Sequence, residues 1–428
     1  MRASTFVYPW DVIGDPGAAD RIAGLGVQQV TLASAYHSTR ALTPRHPGHR
    51  VVTARHAAVL YPPDERRWAG RALRPYTQDW AGAEDAYGEA ARALRAAGLE
   101  VHSWVVLAHN SRLGDEHPRV SVRNAYGDRY PWAPCVAQPE VREYLVTLAA
   151  EAAVRPGTGT EGTELESCGW YGLAHLHAHD KTGGVPLPGA AQYLMSLCFC
   201  PACEAGYAGL GADPEELRGA VRGALAPVWA GGWSPGPDEW ADVEKLLGAD
   251  LAGLTMAWRG SVARDLQRAA VEAVRAAAAP GFQVLLHADP HAHRCGANAG
   301  VDPEWVLGHA DGLVLPGADL VAACVPYARP GTVLAANFPV VAGMGGSPGT
   351  LAADAARARA AGATELRLYH AGLASAGDLA AVRAFFRLRG WGGREGGGQP
   401  AAGATDPHTT TGRKGHPDRN HDGPGAPH

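Results

Sequence analysis

Four short apolar runs recur between residues 282 and 372: FQVLLHAD (Phe282–Asp289), GLVLPG (Gly312–Gly317), TVLAANF (Thr332–Phe338) and ELRLYHAG (Glu365–Gly372). Each is rich in β-branched or bulky apolar residues and too short for a helix. TLAADAARARAAG (Thr350–Gly362), between the last two, has helical period and stops at glycine, and Ser375–Leu388 repeats that pattern after the last run. Such alternation is the signature of βα units.

Upstream the same rhythm gives strands at Ser4–Trp10, Val27–Ser34, Leu99–His109 and Gly162–Trp170, with helices over Ala81–Gly98 and Gln138–Ala153. Asp213–Pro280 is too long for one crossover and reads as a helical insertion plus the fourth crossover helix. Eight strands with intervening helices predict an α/β chain folded as a (β/α)₈ TIM barrel over residues 1–390, with a helical insertion of about 200–260 after strand 4. A doubly wound open sheet is the rival, but no glycine-rich phosphate loop follows the first strand. Residues 391–428 are dominated by Gly, Pro, Ala, His and charged residues and are expected to form a disordered tail.

Composition narrows the function classes. The 428 residues carry a formal net charge of -5 and are 46% hydrophobic. No basic cluster interleaved with aromatics points to nucleic acid, and no 18-residue apolar run points to a membrane span. No apolar run of signal-peptide length precedes Asp11, so a cytoplasmic protein is expected. Disulfides do not persist there, and the seven cysteines need another explanation.

Three of them, Cys198, Cys200 and Cys203, stand as C-x-C-x-x-C in SLCFCPACEAGY. Thiolates at this spacing suit Zn²⁺ in a closed tetrahedral site. A fourth ligand is required, with Cys135, Cys168, or one of His175, His177 and His179 available.

The stretch PWAPCVAQPEVREYL (Pro131–Leu145), a following strand that ends in an acidic residue, and then CFCPAC together resemble glycoside hydrolase family 42 and the glycosidase-like barrels near it. The resemblance implies a structural zinc on Cys135, Cys198, Cys200 and Cys203. It also implies an acid/base glutamate at the end of the fourth strand, Glu166, and a carbohydrate or glycoside substrate. It covers Leu99–Tyr207 well and the rest only as topology. The family's nucleophile would be a glutamate at the end of the seventh strand, where this chain has Asn337.

Barrel chemistry gathers at the C-terminal ends of the strands. Those ends carry Tyr8, Trp10 and Asp11; Tyr36 and His37; His109 and Asn110; Glu164 and Glu166; His287 and Asp289; Asn337; Tyr369 and His370. Glu164 and Glu166, two apart on a strand, share a face, and two close carboxylates push one pKa upward. Glu166 is therefore the expected general acid, with Glu164 tuning it and Asp289 as the replacement second carboxylate. Trp10, Tyr36 and Tyr369 would stack on sugar, and His109, Asn110, His287, Asn337 and His370 would orient hydroxyls. Trp104, mid-strand, reads as core. Two other readings stay open: a metal-dependent hydrolase built on HLHAHD (His175–Asp180) and HADPHAH (His287–His293), and a barrel that binds carbohydrate without cleaving it.

Overall fold

The structure, a computed structural model, describes residues 1–174 and 180–388; the expectations for His175, His177, His179 and for the tail 391–428 lie outside the described residues. Eight parallel strands follow one another: β1 (Arg2–Val7), β2 (Gln29–Tyr36), β3 (Glu100–Val106), β4 (Gly162–Glu166), β5 (Gln283–Asp289), β6 (Gly312–Pro316), β7 (Val333–Pro339) and β8 (Glu365–Tyr369). Each pairs with the next, and β1 pairs with both β2 (Ser4 opposite Gln29) and β8 (Arg2 opposite Glu365), which closes the sheet into a barrel.

A helix follows every strand: α1 (Ala18–Ala23), α2 (Ala86–Ala96), α3 (Pro139–Ala153), α4 (Ala249–Ala277), α5 (Pro303–Val306), α6 (Gly317–Cys324), α7 (Leu351–Ala360) and α8 (Ala376–Leu388). Two of their starts show how the orphan N–H groups of a first turn are handled. The Asp85 side chain accepts from Gly88 N at 3.0 Å ahead of α2, and Pro139, which has no N–H to satisfy, opens α3. Between β4 and α4 lie four further helices, Gly189–Met195, Pro201–Gly209, Pro214–Trp229 and Glu239–Leu247.

All eight strands stand where the apolar runs place them. The third and fourth are shorter than their runs. β4 stops at Glu166 because Ser167 turns the chain at φ 56°, outside the extended region. Two hairpins were not legible in the sequence, Thr39–Leu42 with Val51–Ala54 and Ser121–Arg123 with Arg129–Pro134. Their strands have six residues or fewer, and Pro131 and Pro134 argue against a strand in the second.

Alternation sorts each strand into two faces. Outward residues such as Leu32, Val105, Leu165 and Leu366 are fully buried against the helices, each stabilising by about 1.5–3 kcal/mol. Inside the barrel, Leu285, Val314, Val333 and Ala335 form an apolar plug. Around it the interior turns polar, and that layer supports the site.

Candidate active site

β4 turns both Glu164 and Glu166 inward, as the sequence alternation requires. Their surroundings differ. Glu164 is fully buried beside three partners. Arg367 Nε donates to its Oε1 at 2.5 Å, Thr31 Oγ1 donates to the same oxygen at 3.1 Å, and His287 Nε2 lies 3.1 Å from Oε2. Burial alone would raise its pKa, but the Arg367 guanidinium, aided by His287, holds the carboxyl down at about 2. Arg367 also donates to Glu365 Oε2 at 2.7 Å, so the buried cation has two acidic partners.

Glu166, one layer nearer the mouth, is 8% exposed. Trp104 Nε1 donates to its Oε2 at 2.7 Å. Burial pushes its pKa up, against the lowering effects of His287 and of the Trp104 hydrogen bond. The charge of Glu164 adds the smallest contribution, which corrects the expectation that carboxylate pairing would dominate. Glu164 is already neutralised by Arg367, and desolvation does the work.

Glu166 opens into a cavity of about 330 Å³ at the C-terminal end of the barrel, lined also by Tyr36, Trp104, His287, Asn337 and Tyr369. Four of the sequence candidates, Tyr36, His287, Asn337 and Tyr369, therefore meet around Glu166. Trp104, read as core, belongs here too. It is only 1% exposed, yet it lines the cavity and holds Glu166. The parity of β3 carried that signal, since Trp104 pairs in register with inward-facing Glu164. Tyr8 Oη donates to Tyr36 Oη at 3.0 Å, and the Tyr369 hydroxyl lies beside both. Burial raises the pKa of all three phenols.

The remaining candidates lie elsewhere. Asp289 does not line the cavity: its Oδ1 accepts from His291 N at 2.9 Å and lies 2.7 Å from His291 Nδ1, in a turn at the end of β5. Trp10 is buried in a stack on Tyr8, with ring centroids 4.5 Å apart. Asn110 caps the helix Ser111–Glu116 by accepting from Leu113 N at 3.0 Å. His109 stacks on Tyr171 at 4.3 Å and lines a different recess. His370 is fully buried and held neutral, its pKa pushed down by burial to about 3. These five stand at strand ends, but their side chains are spent on turns, caps and packing.

One backbone feature coincides with the site. Ser167, directly after Glu166, is the only described non-glycine residue with positive φ. Such a conformation costs on the order of 1–3 kcal/mol and persists where the surroundings enforce it. Here Ser167 N donates to Ala297 O at 2.9 Å and Leu107 N donates to Glu166 O at 3.0 Å. The first bond ties the end of β4 to the loop after β5, whose Ala297 and Asn298 also line the cavity, and the second ties it to the chain just beyond β3.

The second feature with chemical content is the cysteine cluster. The Sγ atoms of Cys135, Cys198, Cys200 and Cys203 all lie within 4.8 Å of one another, and all four residues are buried. Cys135 Sγ is 3.6 Å from Cys200 Sγ and 3.6 Å from Cys203 Sγ. Four sulfurs about 2.3 Å from a central ion would be separated by about 3.8 Å. The donor set and its spacing therefore fit a metal ion, and the cluster could hold one. Cys135 lies between the hairpin 121–134 and α3, while Cys200 caps and Cys203 sits in the first turn of Pro201–Gly209. Arg123 N donates to Cys198 Sγ at 3.4 Å, and Phe199 N donates to Arg123 O at 2.7 Å. The cluster thus ties the insertion to the hairpin and to the segment entering α3; the second of these links is the one that the family resemblance implies. Among the described residues it is the only group of three or more side chains arranged to hold a metal. No described helix is long and apolar enough to cross a membrane.

No protein-family model and no curated protein matches this sequence. Solved structures do match its fold. An alpha-L-fucosidase isoenzyme 2 from Paenibacillus thiaminolyticus superposes with a TM-score of 0.53 at 14% identity, over 91% of this chain and 49% of that one. A beta-galactosidase from the psychrophilic Marinomonas ef1 gives 0.50 at 10% identity, over 90% and 59%. The chain thus spans about half and about three-fifths of these two proteins. The catalytic domain of a beta-amylase from Paenibacillus polymyxa gives 0.53 at 12% identity, over 90% and 97%. At such identities the likeness is one of fold, and the fold is the barrel that these glycoside hydrolases share.

Proposed function

We propose that this barrel hydrolyses glycosides, with Glu166 as the general acid that protonates the leaving oxygen. The observation that carries the reading is the placement of one buried carboxyl, its pKa raised by burial, in an aromatic-lined cavity at the C-terminal mouth. Tyr36 and Tyr369 offer flat faces for pyranose rings and His287 a polar edge. Glu164 is a positioning residue that fixes His287 from beneath. The cysteine cluster binds Zn²⁺ in a structural role: four protein ligands leave no coordination position for substrate.

The test is a panel of 4-nitrophenyl glycosides assayed with the wild type and with Glu166→Gln. General acid catalysis is worth roughly 10²–10⁴-fold, and a loss of that size in kcat/KM is expected. A panel with no turnover by the wild type refutes hydrolysis. Non-catalytic sugar binding is then the surviving reading. It draws on one observation: among the described residues lining the cavity, Glu166 is the only carboxylate.

A further inference from the structure

A glycosidase that works with two carboxylates places them about 5–5.5 Å apart to retain configuration or about 6.5–9.5 Å apart to invert it. Glu166 has no such partner among the described residues of the cavity wall. Glu164 is ionised but already engaged by Arg367, Thr31 and His287 one layer deeper. Tyr8, Tyr36 and Tyr369 stand close by, but burial disfavours the phenolate each would need to act as nucleophile. The described residues of the cavity wall thus supply an acid without a nucleophile.

The wall formed by β7 and β8 supplies something else. Asn337 lines the cavity, and its buried Oδ1 accepts no hydrogen bond from the described residues. A buried acceptor of this kind is costly unless something donates to it. Tyr369, on the next strand, lines the same wall, with Phe338 paired to Leu368 between the two strands.

An amide N–H for Asn337 and an internal nucleophile for the anomeric carbon are both carried by one sugar substituent, the 2-acetamido group. Resting on the glycosidase reading, we infer that the substrate is a 2-acetamido-2-deoxyhexoside cleaved with assistance from its own amide. The acetamido carbonyl oxygen attacks C1 and forms a C1–O bond as the glycosidic C1–O bond breaks. Glu166 gives its proton to the departing oxygen. Asn337 Oδ1 accepts the amide N–H and so stabilises the positive charge that the amide gains in the oxazolinium ion. Water then adds to C1, Glu166 takes its proton, and the C1–O(amide) bond opens. The sum is glycoside plus water giving 2-acetamido sugar plus alcohol. Substrate-assisted hydrolysis of this type is an established exception to the two-carboxylate rule.

Two measurements test it on the intact protein. The first compares 4-nitrophenyl 2-acetamido-2-deoxyglycosides with their 2-hydroxy counterparts, and extends the acetamides to mono-, di- and trifluoroacetyl derivatives. Because fluorine weakens the carbonyl nucleophile, kcat is expected to fall about tenfold or more across the series, a barrier rise of about 1.4 kcal/mol or more. The second is calorimetric titration with the thiazoline analogue of the oxazoline. Its affinity should fall roughly tenfold in Asn337→Ala, the equivalent of one lost hydrogen bond, and be kept in Asn337→Asp. If 2-hydroxy glycosides are cleaved equally well and fluorination changes nothing, the inference is overturned while glycoside hydrolysis stands. Should the thiazoline bind without any turnover, hydrolysis is overturned and the cavity remains a site for 2-acetamido sugars. With neither turnover nor binding, both readings fall. The fluorination series uses only the wild type and decides the matter even if an Asn337 variant does not fold.

Discussion

Two parts of this molecule are closed upon themselves and one is not. The layer around Glu164 and the four-cysteine cluster each bring together groups that answer one another. A carboxylate meets a guanidinium, a hydroxyl and an imidazole, and four thiols converge at a spacing that one cation would fill. The cavity at Glu166 collects an acid and an amide oxygen whose complements the described residues of its wall do not provide. The contrast teaches where to look for function: substitutions in the closed regions should be felt in stability, and substitutions at the mouth in activity.

The largest expected effect tests the closed side. Cys200→Ser should remove the bound metal, read by elemental analysis of wild type and variant. It should also lower the urea midpoint by an amount corresponding to several kcal/mol, since structural zinc contributes on the order of 10 kcal/mol where folding depends on it. Full metal retention would break the comparison at its strongest point. Next comes the mouth. The activity lost in Glu166→Gln should leave the urea midpoint nearly unchanged, because the wild-type acid is held towards its neutral form by burial.

Glu164→Gln should be felt first in stability. Removing one partner of a buried ion pair costs about 3–5 kcal/mol, and about 3 is expected because Glu365 still faces Arg367. The pH dependence follows in sign. With its folded pKa at about 2, below the unfolded value, Glu164 contributes stability that is fully present above about pH 4.5 and lost as pH falls towards 2. That acid-linked component should be missing from the variant's pH–stability curve. The smallest effect sharpens the mouth itself. Trp104→Phe removes a donor to the ionised form of Glu166, so the alkaline limb of the pH–activity profile should move up by about one unit. A limb that moves down would mean that the indole acts on some other group.

Much of this was legible in advance. Period alone placed eight strands, because apolar runs bounded by Gly and Pro have few other uses, and the parity of T-E-L-E turned both glutamates inward. Three of the cysteines were legible because soft ligands spaced C-x-C-x-x-C have little to do but converge, whereas Cys135, 63 residues upstream, was singled out only by the family resemblance. What could not be read was direction beyond the strand ends. Asp289, Asn110 and His370 occupy the same nominal position as His287 and Asn337, but loop geometry decides whether such a side chain faces the cavity, caps a helix or closes a turn. Trp104 was missed for the opposite reason. A bulky apolar ring mid-strand looks like packing until its N–H is seen on a carboxylate. The partner of Glu164 was equally invisible, since Arg367 is 203 residues away along the chain.

That separation bears on how the barrel assembles. Glu164 enters with the fourth strand and Arg367 with the last, so a half-barrel ending after β4 would enclose an anion with no guanidinium to meet it. The ion pair therefore joins the first half of the chain to its last strand, and the dry layer around Glu164 is complete only where β8 closes the barrel.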